Sequence, residues 1–313
     1  MLLQFSETST ATMSTYLTCE FATFSKDGTP IAWPVSALYQ PESTTLLVST
    51  TIGFPQKAIN VRRDPRVSAL YSDPTGSGSD DGVQVLLQGT AVCTDQIETG
   101  FAGRAAYWRR LLAIQPPAAG SFASRALGRR VMDAYFMRLY ITMTPLTELV
   151  LPAATHARPI RPATRRRYGS SAFQNTAAAV MQFDSAVLAT NSSTGYATLQ
   201  RVRLVPHGDE ASFEVAPAPG TDVVAGRASI LCHRHDERLG SQSSFVATGE
   251  LREAGGGWVF VPERFVAGIS PGVLSQIRFL RTLRRRAGTY LQTRRLDRPV
   301  IAWDELAGIV KSL

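Results

Sequence analysis

Short runs of apolar residues, separated by turn-forming clusters, set the pattern of the first third of the chain. Over 22–73 the sequence is ATFSKDGTPIAWPVSALYQPESTTLLVSTTIGFPQKAINVRRDPRVSALYSD. ATF ends one strand, and Lys26-Asp27-Gly28 supplies a turn that tolerates positive φ at the glycine. IAWPVSALY predicts a second strand, Glu42-Ser43 a turn, and TTLLVST a third strand. Residues 53–63 predict a loop entering a helix, which Asp64-Pro65 stops because the proline ring disfavours helical backbone just before it. RVSALYSD is a fourth strand and VQVLLQGTAVC a central one, with Gly89 marking a bulge or a close approach. The period then changes. Phe101, Ala105, Trp108, Leu111 and Leu112 recur at helical spacing, Gln115-Pro116-Pro117 breaks that helix, and a second helix is expected over 121–135. FMRLYITMTPLTELVL returns to alternation, with a break expected at Pro145.

The same order recurs, in worn form, in the second half. The segment 186–205 parallels the opening hairpin, ASFEVAP parallels TTLLVST, and GRASILCHRHDE parallels DPRVSALYSD. SFVATGELRE parallels VLLQGTAVCTD, which sets Gly249 opposite Gly89. GTDVVAG replaces the first half's helix; it is too short for a helix and has no lysine. Between the halves, PAATHARPIRPATRRRYGS predicts an extended linker. The segment after Pro262 predicts helices with a break at Pro271-Gly272, and residues 1–14 predict a polar tail or short arm. The expected domains are 1–151, a Pro/Arg-rich linker at 152–178, and 179–313 with its helical tail.

Bulk properties narrow the classes. A length of 313 residues favours two domains, and 44% hydrophobic residues allow a sizeable core. No apolar run reaches the length of a membrane span, and the N-terminus does not resemble a signal peptide. Cys19, Cys93 and Cys232 share no metal-ligand spacing and suit a reducing compartment, so a cytoplasmic location is expected. His233 and His235 would share a strand face, but no third ligand stands near them, so strand alternation into a polar turn is the better account. Net charge is +8, and of 33 basic residues only Lys26, Lys57 and Lys311 are lysines, a bias that reflects genome composition. A basic surface suits nucleic acid or an anionic cofactor equally. Without an aromatic-plus-basic module nucleic acid is not expected. Serine-nucleophile motifs, Walker loops and dinucleotide glycine patterns are absent.

The candidate chemistry lies at the end of the third strand. Ser49-Thr50-Thr51, followed by Lys57 near a helix start, can hold a phosphate with hydroxyls, free amides and an ammonium. DGTPIAWPVSAL, LLVST, QKAINVRRDPRVSAL and VLLQGTAV together resemble the pyridoxamine 5'-phosphate oxidase-like family of flavin-binding split β-barrels, over residues of about 15 to 95. That resemblance implies a mainly β fold with helical insertions (α+β), here two tandem split β-barrels forming an internal pseudo-dimer. It implies FMN as cofactor, with a deazaflavin coenzyme, haem or no ligand as alternatives, and hydride transfer to or from a small-molecule substrate. It assigns Lys57, with Gln56, to the flavin phosphate. Ser49 and Thr50 go to the phosphate or ribityl chain, and Trp33, Pro34, Val35 and Ser36 to the isoalloxazine edge. One cofactor per chain is expected, because only the first half keeps the lysine. Many family members carry a tryptophan near the flavin where this chain has Leu149-Val150. Arg62, Arg63 and Arg66 are expected to form a solvated helix end.

Overall fold

A computed structural model of the chain describes residues 3–79, 82–114, 126–153, 169–207 and 211–313. Most of the expected linker, 154–168, lies outside them. The first half forms β1 (Cys19–Phe24), β2 (Pro30–Val35), β3 (Leu38–Gln40), β4 (Thr45–Thr51), β5 (Arg66–Tyr71), β6 (Gln84–Cys93) and β7 (Arg138–Leu151). The second half forms β8 (Ala186–Asn191), β9 (Ala197–Val202), β10 (Leu204–His207), β11 (Ser212–Val215), β12 (Val224–Arg234), β13 (Ser243–Ala254) and β14 (Gly257–Ala267). Strand order is β2-β1-β5-β6-β7-β4-β3 in one sheet and, read in the matching direction, β9-β8-β12-β13-β14-β11-β10 in the other. Every strand of the first has its counterpart in the second. The fold is two tandem split β-barrels with helical insertions.

The two central glycines explain a shared bulge. Both β6–β7 and β13–β14 shift register at these points, where Gly89 faces Pro145 and Gly249 faces Pro262. A Cβ on Gly89 would land on the carbonyl oxygen of Thr144, and one on Gly249 on that of Val261. Proline fits opposite because a bulge removes the need for its missing N–H. β7 therefore runs on through Pro145 as one strand, where the sequence predicted a break.

The barrels meet through reciprocal contacts. Ser68 Oγ donates to the Ala197 carbonyl at 2.7 Å, and its counterpart Ser229 Oγ donates to the Pro30 carbonyl at 2.6 Å. Arg66 reaches the first barrel's partner at the Gly195 carbonyl (2.7 Å), while Arg227 reaches back to Asp27 (3.0 Å). Between them Ala22, Phe24, Ala32 and Leu70 pack on Val187, Ala189, Leu199 and Leu231 in a buried apolar layer. Paired contacts of this kind are the mark of an isologous interface, here within one chain.

The described residues also form seven α-helices: α1 (Glu7–Thr15), α2 (Gln56–Arg63), α3 (Ala105–Ile114), α4 (Ala126–Phe136), α5 (Ala172–Val180), α6 (Val273–Thr293) and α7 (Trp303–Lys311). The expected N-terminal tail is a helix. Ser6 caps it by accepting from the Ser9 amide, and Met13 is fully buried. The C-terminal helices follow the second barrel in sequence but pack into the core of the first. Leu283, Ala287, Tyr290 and Leu291 of α6, with Leu306 and Ile309 of α7, join the cluster that contains Leu46, Val61, Trp108 and Phe136. No helix among the described residues is long and apolar enough to cross a membrane.

Candidate functional site

α2 starts after Thr51, at the end of β4, and its first turn carries Gln56 and Lys57. Pro55 precedes it with no side-chain cap, and the first turn has no acidic residue, so nothing in that turn offsets the partial positive charge of the helix start. Lys57 is half-buried. Its ammonium stands 5.2 Å from the centroid of the Trp33 ring, within cation–π range. Burial, and then the nearby charge of Arg138, push the Lys57 pKa down to about 8. No carboxylate among the described residues pairs with it.

The structure thus brings Trp33 and Lys57 together from strand and helix. Along the same edge strand Val35 is buried and Pro34 half-buried, and Ser36, just past its end, is half-buried. The hydroxyls of β4 have protein partners instead. Ser49 Oγ bonds the Tyr107 hydroxyl of α3 at 2.9 Å, Thr50 Oγ1 donates to the Phe54 carbonyl at 2.8 Å, and Thr51 Oγ1 donates to the Ala134 carbonyl at 2.5 Å. Gln56 is exposed, and its amide donates along the helix to Asn60 at 2.7 Å. Asn60 in turn donates to Thr23 at 2.9 Å, which ties α2 to β1.

α6 covers the turn before α2. Phe54 stacks on Phe279 with ring centroids 5.4 Å apart, and the Arg286 guanidinium lies 5.2 Å from the Phe54 ring. A Cβ at Gly53 would meet the Leu283 carbonyl oxygen at 2.7 Å, so this approach requires glycine. The arginines at the other end of α2 are clamps and not a solvated end. Arg62 donates to the Cys93 carbonyl (3.1 Å) and pairs with Asp95 (2.6 Å), and Arg63 donates to the Phe24 carbonyl.

Arg138, the first residue of β7, was not singled out from the sequence. The available signal was an arginine inside the apolar alternation FMRLYITM. Its backbone exchanges hydrogen bonds with Glu98 at 2.8 and 3.0 Å, and its guanidinium lies 4.0 Å from the Tyr135 ring and 5.4 Å from that of Trp108.

A separate buried network joins the barrels. Glu20 Oε1 accepts from Arg201 (2.8 Å), His233 (2.6 Å) and Ser72 (2.8 Å). Burial alone would raise the Glu20 pKa; the His233 hydrogen bond and the Arg201 charge outweigh it and hold the carboxyl below its ordinary range. His235 bonds Thr18 at 3.0 Å and lies 3.6 Å from Asp73. These contacts account for the two histidines as interface residues, with Arg201 committed to Glu20.

No family model matches this sequence, and no curated protein matches it. Similar folds occur among solved structures. A putative pyridoxamine 5'-phosphate oxidase from Listeria innocua is 16% identical, with 46% of this chain and 96% of that one covered at a TM-score of 0.30. An FAD-binding protein from Mesorhizobium loti is 14% identical, covering 47% and 96% at 0.30. The heme storage protein from Vibrio cholerae is 12% identical, covering 47% and 95% at 0.32.

Proposed function

We propose that this chain is a flavin-dependent oxidoreductase that binds FMN through its first barrel and acts on a small organic substrate. The observation that carries the reading is Lys57: a half-buried ammonium with no carboxylate partner among the described residues, set over Trp33 at the uncapped start of α2. Such a cation needs an anion, and a phosphate monoester at a helix N-terminus supplies one. Bound FMN would supply hydride transfer at its ring. The protein's part is to hold the phosphate with Lys57, with Gln56 beside it on the same turn, and to lay the ring along Trp33–Ser36. β2 is the last strand of its sheet, with no strand partner on its outer edge among the described residues; Ser229 takes the Pro30 carbonyl, and the ring would use backbone groups beyond it, from Trp33 on. Ser49 and Thr50 would join only by exchanging their bonds to Tyr107 and Phe54 for bonds to the ligand.

The test is the visible spectrum and the mass of the ligand released from purified full-length protein. The two bands of oxidised flavin with the mass of FMN support the reading. A single band with a deazaflavin mass, a haem spectrum, or a colourless protein that ignores added FMN would replace it.

A further inference from the structure

Arg138 is a buried cation without a paired anion among the described residues. The residue is 7% exposed, and neither Nε nor Nη2 has a hydrogen-bond partner among the described residues. These two nitrogens form one edge of the guanidinium, the fork that grips a carboxylate or phosphate with two parallel bonds. Elsewhere in the chain that edge is used. Arg104 holds Glu98 through Nε and Nη2 at 3.2 and 3.1 Å, and Arg298 holds Asp133 at 2.9 and 2.6 Å. Those bonds engage Asp133, the acid nearest Arg138 in sequence, and Glu98, whose backbone pairs with that of Arg138. The rings of Tyr135 and Trp108 meet the face of the guanidinium, but a ring face cannot satisfy N–H donors that point outward in its plane.

A lone buried charge is costly, and a second cation beside it adds to the cost. Lys57 is that second cation: Arg138 pairs across the sheet with Thr51, the last residue of β4, and the chain runs from there into the first turn of α2, which carries Lys57. That first turn has no side-chain cap and no acidic residue. We propose that Arg138 and Lys57 form a two-cation site for a phosphate-type dianion, completed by the first-turn amides of α2. The fork of Arg138, the point charge of Lys57 and the backbone amides approach from different elements, which suits a tetrahedral anion better than a planar carboxylate. That the phosphate belongs to FMN rests on the function proposed above; the anion site does not.

The experiment is thermal unfolding of the full chain with and without inorganic phosphate, alongside titrations with FMN and with riboflavin, for wild type, Arg138→Met and Arg138→Lys. Phosphate should raise the wild-type melting temperature, with a shift that grows with concentration. Without phosphate, Arg138→Met should melt at or above wild type, because it removes an uncompensated charge, and it should lose the phosphate response. Arg138→Lys should keep part of that response. FMN affinity should fall about tenfold or more in Arg138→Met, the loss expected for a charge-assisted fork, with riboflavin affinity unchanged. Arg138→Met melting below wild type with its full phosphate response would assign the arginine to packing alone and overturn the proposal, as would a wild type indifferent to phosphate. A phosphate response that depends on Arg138, without preference for FMN over riboflavin, would uphold the anion site and remove the flavin reading.

Discussion

The ammonium of Lys57 lies 5.2 Å from the centroid of the Trp33 indole, although the two residues sit on different elements. The ring offers weak electrostatic compensation to a cation that has lost part of its water, and it leaves the ammonium free for a stronger partner. Lys57→Ala should therefore weaken FMN binding by about 1–3 kcal/mol, the range for a hydrogen bond to a charged group. Unfolding of the ligand-free protein should change little or become harder, because a partly desolvated charge is removed. An unchanged dissociation constant in calorimetry would remove Lys57 from the site.

Anion binding should depend on pH in the window set by this lysine. The Lys57 pKa is depressed to about 8 in the free protein. Below that pH the ammonium is charged and ready; above it, binding must first take up a proton. Affinity should be flat just below pH 8 and fall about tenfold per pH unit above it, until the bound-state pKa is reached. For folding the sign is opposite. A lysine with a lowered folded pKa leaves the unfolded state holding more protons, so its contribution to stability rises from about pH 8 to its ordinary value near 10.4. Lys57→Met should remove both dependences, measured by titration and by denaturant midpoints across that range.

One equivalent of flavin should bind per chain. In the second barrel Gln200 takes the strand position of Trp33, since Leu188 faces Gln200 as Phe21 faces Trp33. Its side-chain oxygen accepts from the Ala218 amide at 2.8 Å and from the Thr221 hydroxyl at 3.3 Å. The loop that replaces α2 thus folds onto the place a ring would take. Asp222 stands in that loop, bonded to Ser193 at 2.7 Å. A fluorescence titration reaching two equivalents of similar affinity would contradict this.

Gly89→Ala and Gly249→Ala should each destabilise the fold by at least about 1–3 kcal/mol, the usual cost of overpacking. In both cases the added carbon meets a backbone oxygen of the neighbouring strand, which cannot rotate away. Equal denaturant midpoints for wild type and either variant would mean that the bulge relaxes freely.

Glu20 should make the barrel interface sensitive to acid. Its folded pKa lies below the ordinary value, so its contribution is complete above the unfolded pKa of about 4.3 and is lost as pH falls through the folded one. Glu20→Ala leaves Arg201 buried at 5% side-chain exposure without its carboxylate, a loss of about 3–5 kcal/mol. Chemical denaturation of Glu20→Ala and wild type at neutral pH measures that loss, and its repetition below pH 4 should show a smaller difference between them.

Local signals in the sequence carried much of the fold. Strand alternation, the Lys26-Asp27-Gly28 turn, the Asp64-Pro65 stop and the recurrence of Gly89 as Gly249 are short-range features, because turn geometry and β-bulges are decided within a few residues. Lys57 was legible for the same reason: it stands on the first turn of a helix whose start the sequence marks. What only the tertiary structure decided is which groups meet across elements. The hydroxyls of Ser49 and Thr50 look available on a strand end, yet Tyr107 and Phe54 take them. α6 belongs to the second half by sequence but buries Leu283 in the core of the first barrel, a long-range choice that no local rule encodes. Arg138 reads as one more arginine in an arginine-rich chain. Its meaning comes from burial at 7% exposure, opposite Thr51 where the chain leads into α2, with two donors unmet among the described residues, a long-range property of charge and desolvation that residue order alone does not contain.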